Sequence, residues 1–252
     1  MSDSDLRNID ASSWPTKALV HLYLNNLPSL DLSSLSSFFM RGQLFSRLET
    51  LHIRNVNARR QSLDFNSLIS MSNVTQLNLR NLDISNNQYD DDLNTLFFGQ
   101  LKLAPLNSLC ASNNSFSKCS GKIEKNFLTN LKCLDLSRNK LSGVECLSAI
   151  RPLENIEMLH MSHNKLSFSG STDLEQSLQF FVSKLHLTSL DLSHNDFSYF
   201  VTYFKQGHTS VKKLDLSFNR LSLFRFLSLT QVKAKKFDVD LEENGNFKFN
   251  LN

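Results

Sequence analysis

A chain of 252 residues with a formal net charge of +3 is long enough to bury a sizeable core and too weakly basic to mark a nucleic-acid binder by charge alone. Its 40% hydrophobic and 20% charged residues, set against only four prolines and seven glycines, exclude a low-complexity chain. No run approaches the roughly 18 apolar residues that cross a bilayer, and the opening MSDSDLRNIDASSW lacks the basic and apolar regions of a secretory leader.

Along the chain, residues 1–17, with Trp14 and Pro15, read as an N-terminal cap. Then an eleven-residue pattern recurs, first as LVHLYLNNLPS at 19–29, LETLHIRNVNA at 48–58, VTQLNLRNLDI at 74–84 and LNSLCASNNSF at 106–116. It sharpens into LKCLDLSRNKL at 131–141, IEMLHMSHNKL at 156–166, LTSLDLSHNDF at 187–197 and VKKLDLSFNRL at 211–221. A degenerate ninth copy, KFDVDLEENGN, lies at 236–246, and 248–252 is left as a tail. Apolar residues fill the first, fourth, sixth and eleventh positions of the sharp copies, and asparagine fills the ninth.

The alternation around the fourth and sixth positions is that of a half-buried strand, so Leu190 and Leu192 are expected inside, with Asp191 and Ser193 on a shared outer face. The chain must turn after each strand, and an asparagine side chain, with two donors and an acceptor, suits the stranded backbone groups of that turn. Asn139, Asn164, Asn195 and Asn219 are assigned that task, while Leu27, Val56 and Leu82 stand in their place upstream.

The repeated LxxLxLxxNxL resembles the signature of the leucine-rich repeat family over 18–247. The resemblance implies an α/β solenoid of about eight or nine repeats, with a curved parallel sheet on the concave face and helices or turns on the convex face. Unequal steps between repeats resemble the ribonuclease-inhibitor-like class. Helices are expected near 171–185, with Leu174, Leu178, Phe181 and Leu185 on one face, and near 93–101 behind Asp90, Asp91 and Asp92. Phe38, Phe39, Phe97, Phe98, Phe180 and Phe181 fall on convex segments, where large rings fill the wide side of a curved stack.

Asp191, Ser193 and His194 carry the residue types of a hydrolase, but Asp135 with Ser137 and Asp215 with Ser217 repeat the same pair. They read as scaffold, with outward neighbours about 7 Å apart on the strand and too distant to be linked. His163 and His194, with His160, Asp135 and Asp191 nearby, form the best metal candidate, on solvent-exposed turn positions where any polar residue serves. There is no glycine-rich phosphate loop and no HExxH, so no enzyme activity, metal or cofactor is expected. Cys110, Cys119, Cys133 and Cys146 lie in the middle repeats; Cys110 and Cys133 have no metal-ligand spacing and read as free thiols. With no cysteine at the ends and no leader, an intracellular, cytoplasmic location is expected, against which stand two sequons at Asn73 and Asn113.

In this family such a face binds other macromolecules, so a protein partner, rather than nucleic acid or membrane, is expected for a monomeric adaptor. The candidate contact residues are Tyr23, His52, Arg54, Asn78 and Arg80, outward positions of the first three repeats that are aromatic and basic where later repeats carry Asp and Ser. The resemblance also allows a regulatory component of an enzyme system, such as a GTPase-activating protein or a ubiquitin-ligase substrate receptor, and a secreted recognition domain.

Overall fold

The computed structural model describes residues 18–30, 47–56, 78–90, 92–93, 105–119, 128–143, 145–167, 186–204, 211–228, 238–244 and 248–251. Among these, nine three-residue strands line up as one parallel sheet in the order β1-β2-β3-β4-β5-β6-β7-β9-β11. They are β1 (His21–Tyr23), β2 (Thr50–His52), β3 (Asn81–Asp83), β4 (Ser108–Cys110), β5 (Cys133–Asp135), β6 (Met158–His160), β7 (Ser189–Asp191), β9 (Lys213–Asp215) and β11 (Asp238–Asp240). Each repeat contributes one strand, and each strand presents its fourth-position residue to the same column. Leu22, Leu51, Leu82, Leu109, Leu134, Leu159, Leu190 and Leu214 pair in register and are 0–5% exposed. A second apolar column follows at the sixth position, from Leu24 through Ile53 and Met161 to Leu216, so every repeat buries its strand against its neighbours.

One repeat sits in a different frame from that read in the sequence. Leu82 is on the strand axis, between Leu51 and Leu109, so the third repeat runs over 79–89 and not 74–84. Both frames satisfy the apolar spacing; pairing with the neighbouring strands selects one, because a slip would carry the leucines off the core column. Asn87 takes the ninth position there, and Leu82 does not replace an asparagine.

Behind the sheet the described residues hold one short helix, α1 (Glu145–Ile150), whose Cys146, Leu147, Ala149 and Ile150 are buried. They also hold a second, three-stranded parallel sheet of β8 (Tyr199–Phe204), β10 (Leu223–Ser228) and β12 (Lys248–Leu251), in the order β12-β10-β8. The segment read as a C-terminal tail thus carries a strand. The described convex side is poorer in helix than expected. The expected helix near 171–185, all but the start of that near 93–101, the six convex phenylalanines and the cap at 1–17 lie outside the described residues; Leu93 itself is buried.

Candidate functional site

In seven of the nine repeats the turn after the strand is built by the ninth-position asparagine, Leu27 and Val56 holding that place in the first two. Asn195 Nδ2 donates to the carbonyls of Leu192 (3.0 Å) and Ser193 (3.1 Å) in its own turn and of Met161 (3.0 Å) in the preceding one. Its Oδ1 accepts from the Leu166 N–H at 3.0 Å. The same set recurs at Asn139, Asn164 and Asn219, as the spacing led us to expect, and also at Asn114 and Asn244, which the sequence reading did not assign. The second repeat, with Val56 at this position, borrows the next asparagine: Asn87 Oδ1 accepts from Val56 N–H at 2.9 Å.

The eighth position of all nine repeats adopts a left-handed backbone, with φ between 50° and 58°, at Asn26, Asn55, Asn86, Asn113, Arg138, His163, His194, Phe218 and Glu243. Asparagine tolerates this region best among residues with a side chain, which explains four of the nine. The side chains then stack as a column along the turn edge. Asn55 Nδ2 donates to Asn26 Oδ1 at 3.1 Å and Asn113 Nδ2 to Asn86 Oδ1 at 2.7 Å. His194 lies between His163 and Phe218, ring centroids 3.9 and 4.2 Å away and planes within 11° and 6° of parallel.

That stacking describes the supposed hydrolase and metal residues. Asp191 Oδ1 accepts from both the backbone N–H (3.0 Å) and the hydroxyl (2.8 Å) of Ser193, and Asp135 and Asp215 do the same for Ser137 and Ser217. The expected 7 Å gap between them does not exist, because the strand ends at Asp191 and Ser193 already lies in the turn, where a carboxylate reaches two residues ahead. The scaffold reading stands on better grounds than the distance: the carboxylate closes the turn. Face-to-face imidazoles point their nitrogens side by side rather than at a common point. No group of three or more metal-ligating side chains gathers among the described residues. Burial, the second imidazole of His194 and the Arg138 guanidinium push the His163 pKa below its ordinary value, against the pull of Asp191.

On the outward sheet face, concave in proteins built this way, the structure brings together three of the five candidate contact residues. Tyr23 and His52 meet edge to face with ring centroids 4.8 Å apart, and His21, unremarked in the sequence, lies 6.4 Å from Tyr23. Tyr23 is 56% exposed. Arg54 reaches into the third repeat, where its Nε donates to Asp83 Oδ2 at 2.6 Å. Burial pushes the Asp83 carboxyl up, but hydrogen bonds from Arg54 and Ser85 outweigh it and hold it below the ordinary carboxylate value. Burial likewise lowers the His52 pKa, with Asp83 and Arg54 pulling in opposite directions.

Asn78 and Arg80 do not join this face. Both are exposed, but they precede β3, whose outward positions are Asn81 and Asp83. The frame shift that moved Leu82 onto the core moved them off the patch and put an acid in it. Asp83 was legible only with the 79–89 frame, in which DIS at 83–85 parallels the DLS of later repeats.

Cys119 and Cys146 form a disulfide, linking the connection after the fourth repeat to α1. Cys110 and Cys133 are free and half-buried, as expected, and burial raises both thiol pKa values.

Leucine-rich repeat models match residues 183–199 and 130–150, the seventh and fifth copies of the pattern that the sheet and asparagine ladder follow. The chain is built from leucine-rich repeats. Protein PAC2 of Saccharomyces cerevisiae is 36% identical over 94 residues, 37% of this chain and 17% of PAC2, so the match spans a small part of that relative. Among solved structures, an internalin from Listeria monocytogenes superposes with a TM-score of 0.51 at 19% identity, covering 89% of this chain and 61% of that one. A chain of the Toll–Spatzle complex of Drosophila gives 0.50 at 19%, covering 90% and 38%. At these identities the likeness is one of fold. Leucine-rich repeat proteins are generally non-catalytic modules of protein–protein interaction, and no helix among the described residues is long and apolar enough to cross a membrane.

Proposed function

We propose that this leucine-rich repeat protein binds a protein partner through the N-terminal end of its concave face, as a non-catalytic adaptor. The supporting observation is the exposed ring of Tyr23, braced by His21 and His52 where later repeats carry residues committed to their own turns. A braced aromatic ring with few rotors buries a large area at small entropic cost, which is why such residues anchor interfaces. Arg54 contributes less than its charge suggests, because Asp83 already engages it. Recovery from native lysate with wild-type, Tyr23→Ala and Ser189→Ala proteins, quantified by mass spectrometry, tests the site. A partner lost with Tyr23→Ala alone supports it, and identical recovery with all three variants overturns it.

The Cys119–Cys146 disulfide favours a second reading, a recognition domain in an oxidising compartment, over the cytoplasmic location expected from the sequence, because cytosolic thiols are kept reduced. Alkylation of the native protein before reduction separates the two. Four blocked thiols support the cytoplasmic adaptor, and two blocked thiols with Cys119 and Cys146 protected support the secreted one.

A further inference from the structure

In the first eight repeats, two backbone donors leave each turn for the next repeat. The sixth-position N–H bonds the following fifth-position carbonyl, and the eighth-position N–H the following seventh-position carbonyl, all at 2.7–3.3 Å. The last such pair runs from Leu216 to Asp240 and from Phe218 to Glu242. In the ninth repeat the equivalent donors are the N–H groups of Leu241 and Glu243, and among the described residues no strand lies beyond β11 in its sheet. The apolar columns are open at the same place: Leu214 and Leu216 are at most 1% exposed, whereas Val239 and Leu241 are only partly buried. An open groove of about 640 Å³ runs along this edge.

The charge of the edge selects what fits it. The ninth repeat alone is acidic at its third, fifth and seventh positions, Asp238, Asp240 and Glu242, and again at the turn residue Glu243, whereas the repeat before it carries Lys213, Asp215 and Ser217. We infer that the β11 edge takes up an extended segment of a partner protein whose residues alternate apolar and basic. Two of its carbonyls, two residues apart, accept from Leu241 and Glu243, its apolar side chains cover Val239 and Leu241, and its lysines or arginines face the acids. This is strand addition to an open sheet edge, in which main-chain bonds supply affinity and alternate side chains supply choice. A second copy of β11 fits poorly, since it sets four acids against four. The inference is independent of the Tyr23 site.

The test uses the full chain and a peptide of about seven residues alternating valine with lysine, a length matched to an ordinary strand. Calorimetry should show saturable binding, and amide exchange at Leu241 and Glu243 should slow on its addition. Leu241→Pro removes a donor at a position that tolerates proline on an edge strand, and should weaken binding at least tenfold. Asp238→Lys with Glu242→Lys should do the same and transfer preference to a peptide with glutamate for lysine, while Ser189→Ala leaves the affinity unchanged. Asp240 is left intact because its carboxylate accepts from the Glu242 N–H at 2.9 Å. Unchanged affinity in the charge-reversed variant overturns the inference, as does slow exchange of both amides in the free protein, which would mean that the chain itself or a second copy already covers the edge. If Leu241→Pro fails to fold, the charge-reversed variant decides.

Discussion

Arg54 and Asp83, 29 residues apart in sequence, are joined across adjacent repeats by a charge-assisted hydrogen bond of 2.6 Å, with the carboxylate almost wholly buried. Holding Asp83 ionised below the ordinary carboxylate value of about 3.9 means that the folded chain binds fewer protons than the unfolded one in that range. Its contribution to stability is therefore complete above that value and lost as pH falls through the folded pKa. Urea melts from pH 5 down to pH 2 should show this acid loss in the wild type and a flatter profile in Asp83→Asn. Near neutral pH that variant should be weaker by about 1–3 kcal/mol, and equal stability across the range would remove the pair from the scaffold.

Asn195 offers a cleaner contrast. Asn195→Ala leaves the Leu166 N–H without its acceptor and takes one of two donors from the carbonyls of Met161, Leu192 and Ser193, which keep Asn164, Asn219 and the His163 N–H, so a cost on the order of 1–3 kcal/mol is expected. Ser193→Ala loses one hydroxyl while Asp191 keeps the Ser193 N–H, so about 1 kcal/mol or less is expected. Denaturant midpoints for the two variants check the order, and equal losses would contradict the ladder.

His163 should titrate below its ordinary value of about 6.5 in an NMR experiment. Since its folded pKa is depressed, the unfolded chain binds more protons between the two values, and stability falls as pH drops through that window. His194→Phe keeps a ring in the stack but removes the second imidazole, so the His163 midpoint should move up. A midpoint that does not move would mean that burial and Arg138 depress it without His194.

The Cys119–Cys146 bridge closes a loop of 27 residues, for which restriction of the unfolded chain gives about 3–4 kcal/mol. Reduction, or replacement of both cysteines by serine, should lower the melting midpoint accordingly. Native protein should present two thiols, Cys110 and Cys133, reacting slowly because burial raises their pKa values. Four reactive thiols in oxidised native protein would contradict the bridge.

What the chain's own letters determined was everything that repeats. An apolar residue every second place beside an asparagine at a constant offset has one compact solution, a stack in which each turn's stranded carbonyls meet an amide, so Leu190, Leu192 and Asn195 were placed correctly without neighbours. Tertiary structure decided whatever depends on which repeat lies next door. Residues 74–84 and 79–89 satisfy the same local spacing, and only pairing with Leu51 and Leu109 chooses between them. With that choice Asn78 and Arg80 left the concave face and Asp83 entered it, to be met by Arg54 from the adjoining repeat. The link between Cys119 and Cys146 and the stack of His163, His194 and Phe218 belong to the same category. Each is a relation between repeats, set by strand register and chain return, and a short-range pattern of apolar and polar residues carries no record of either.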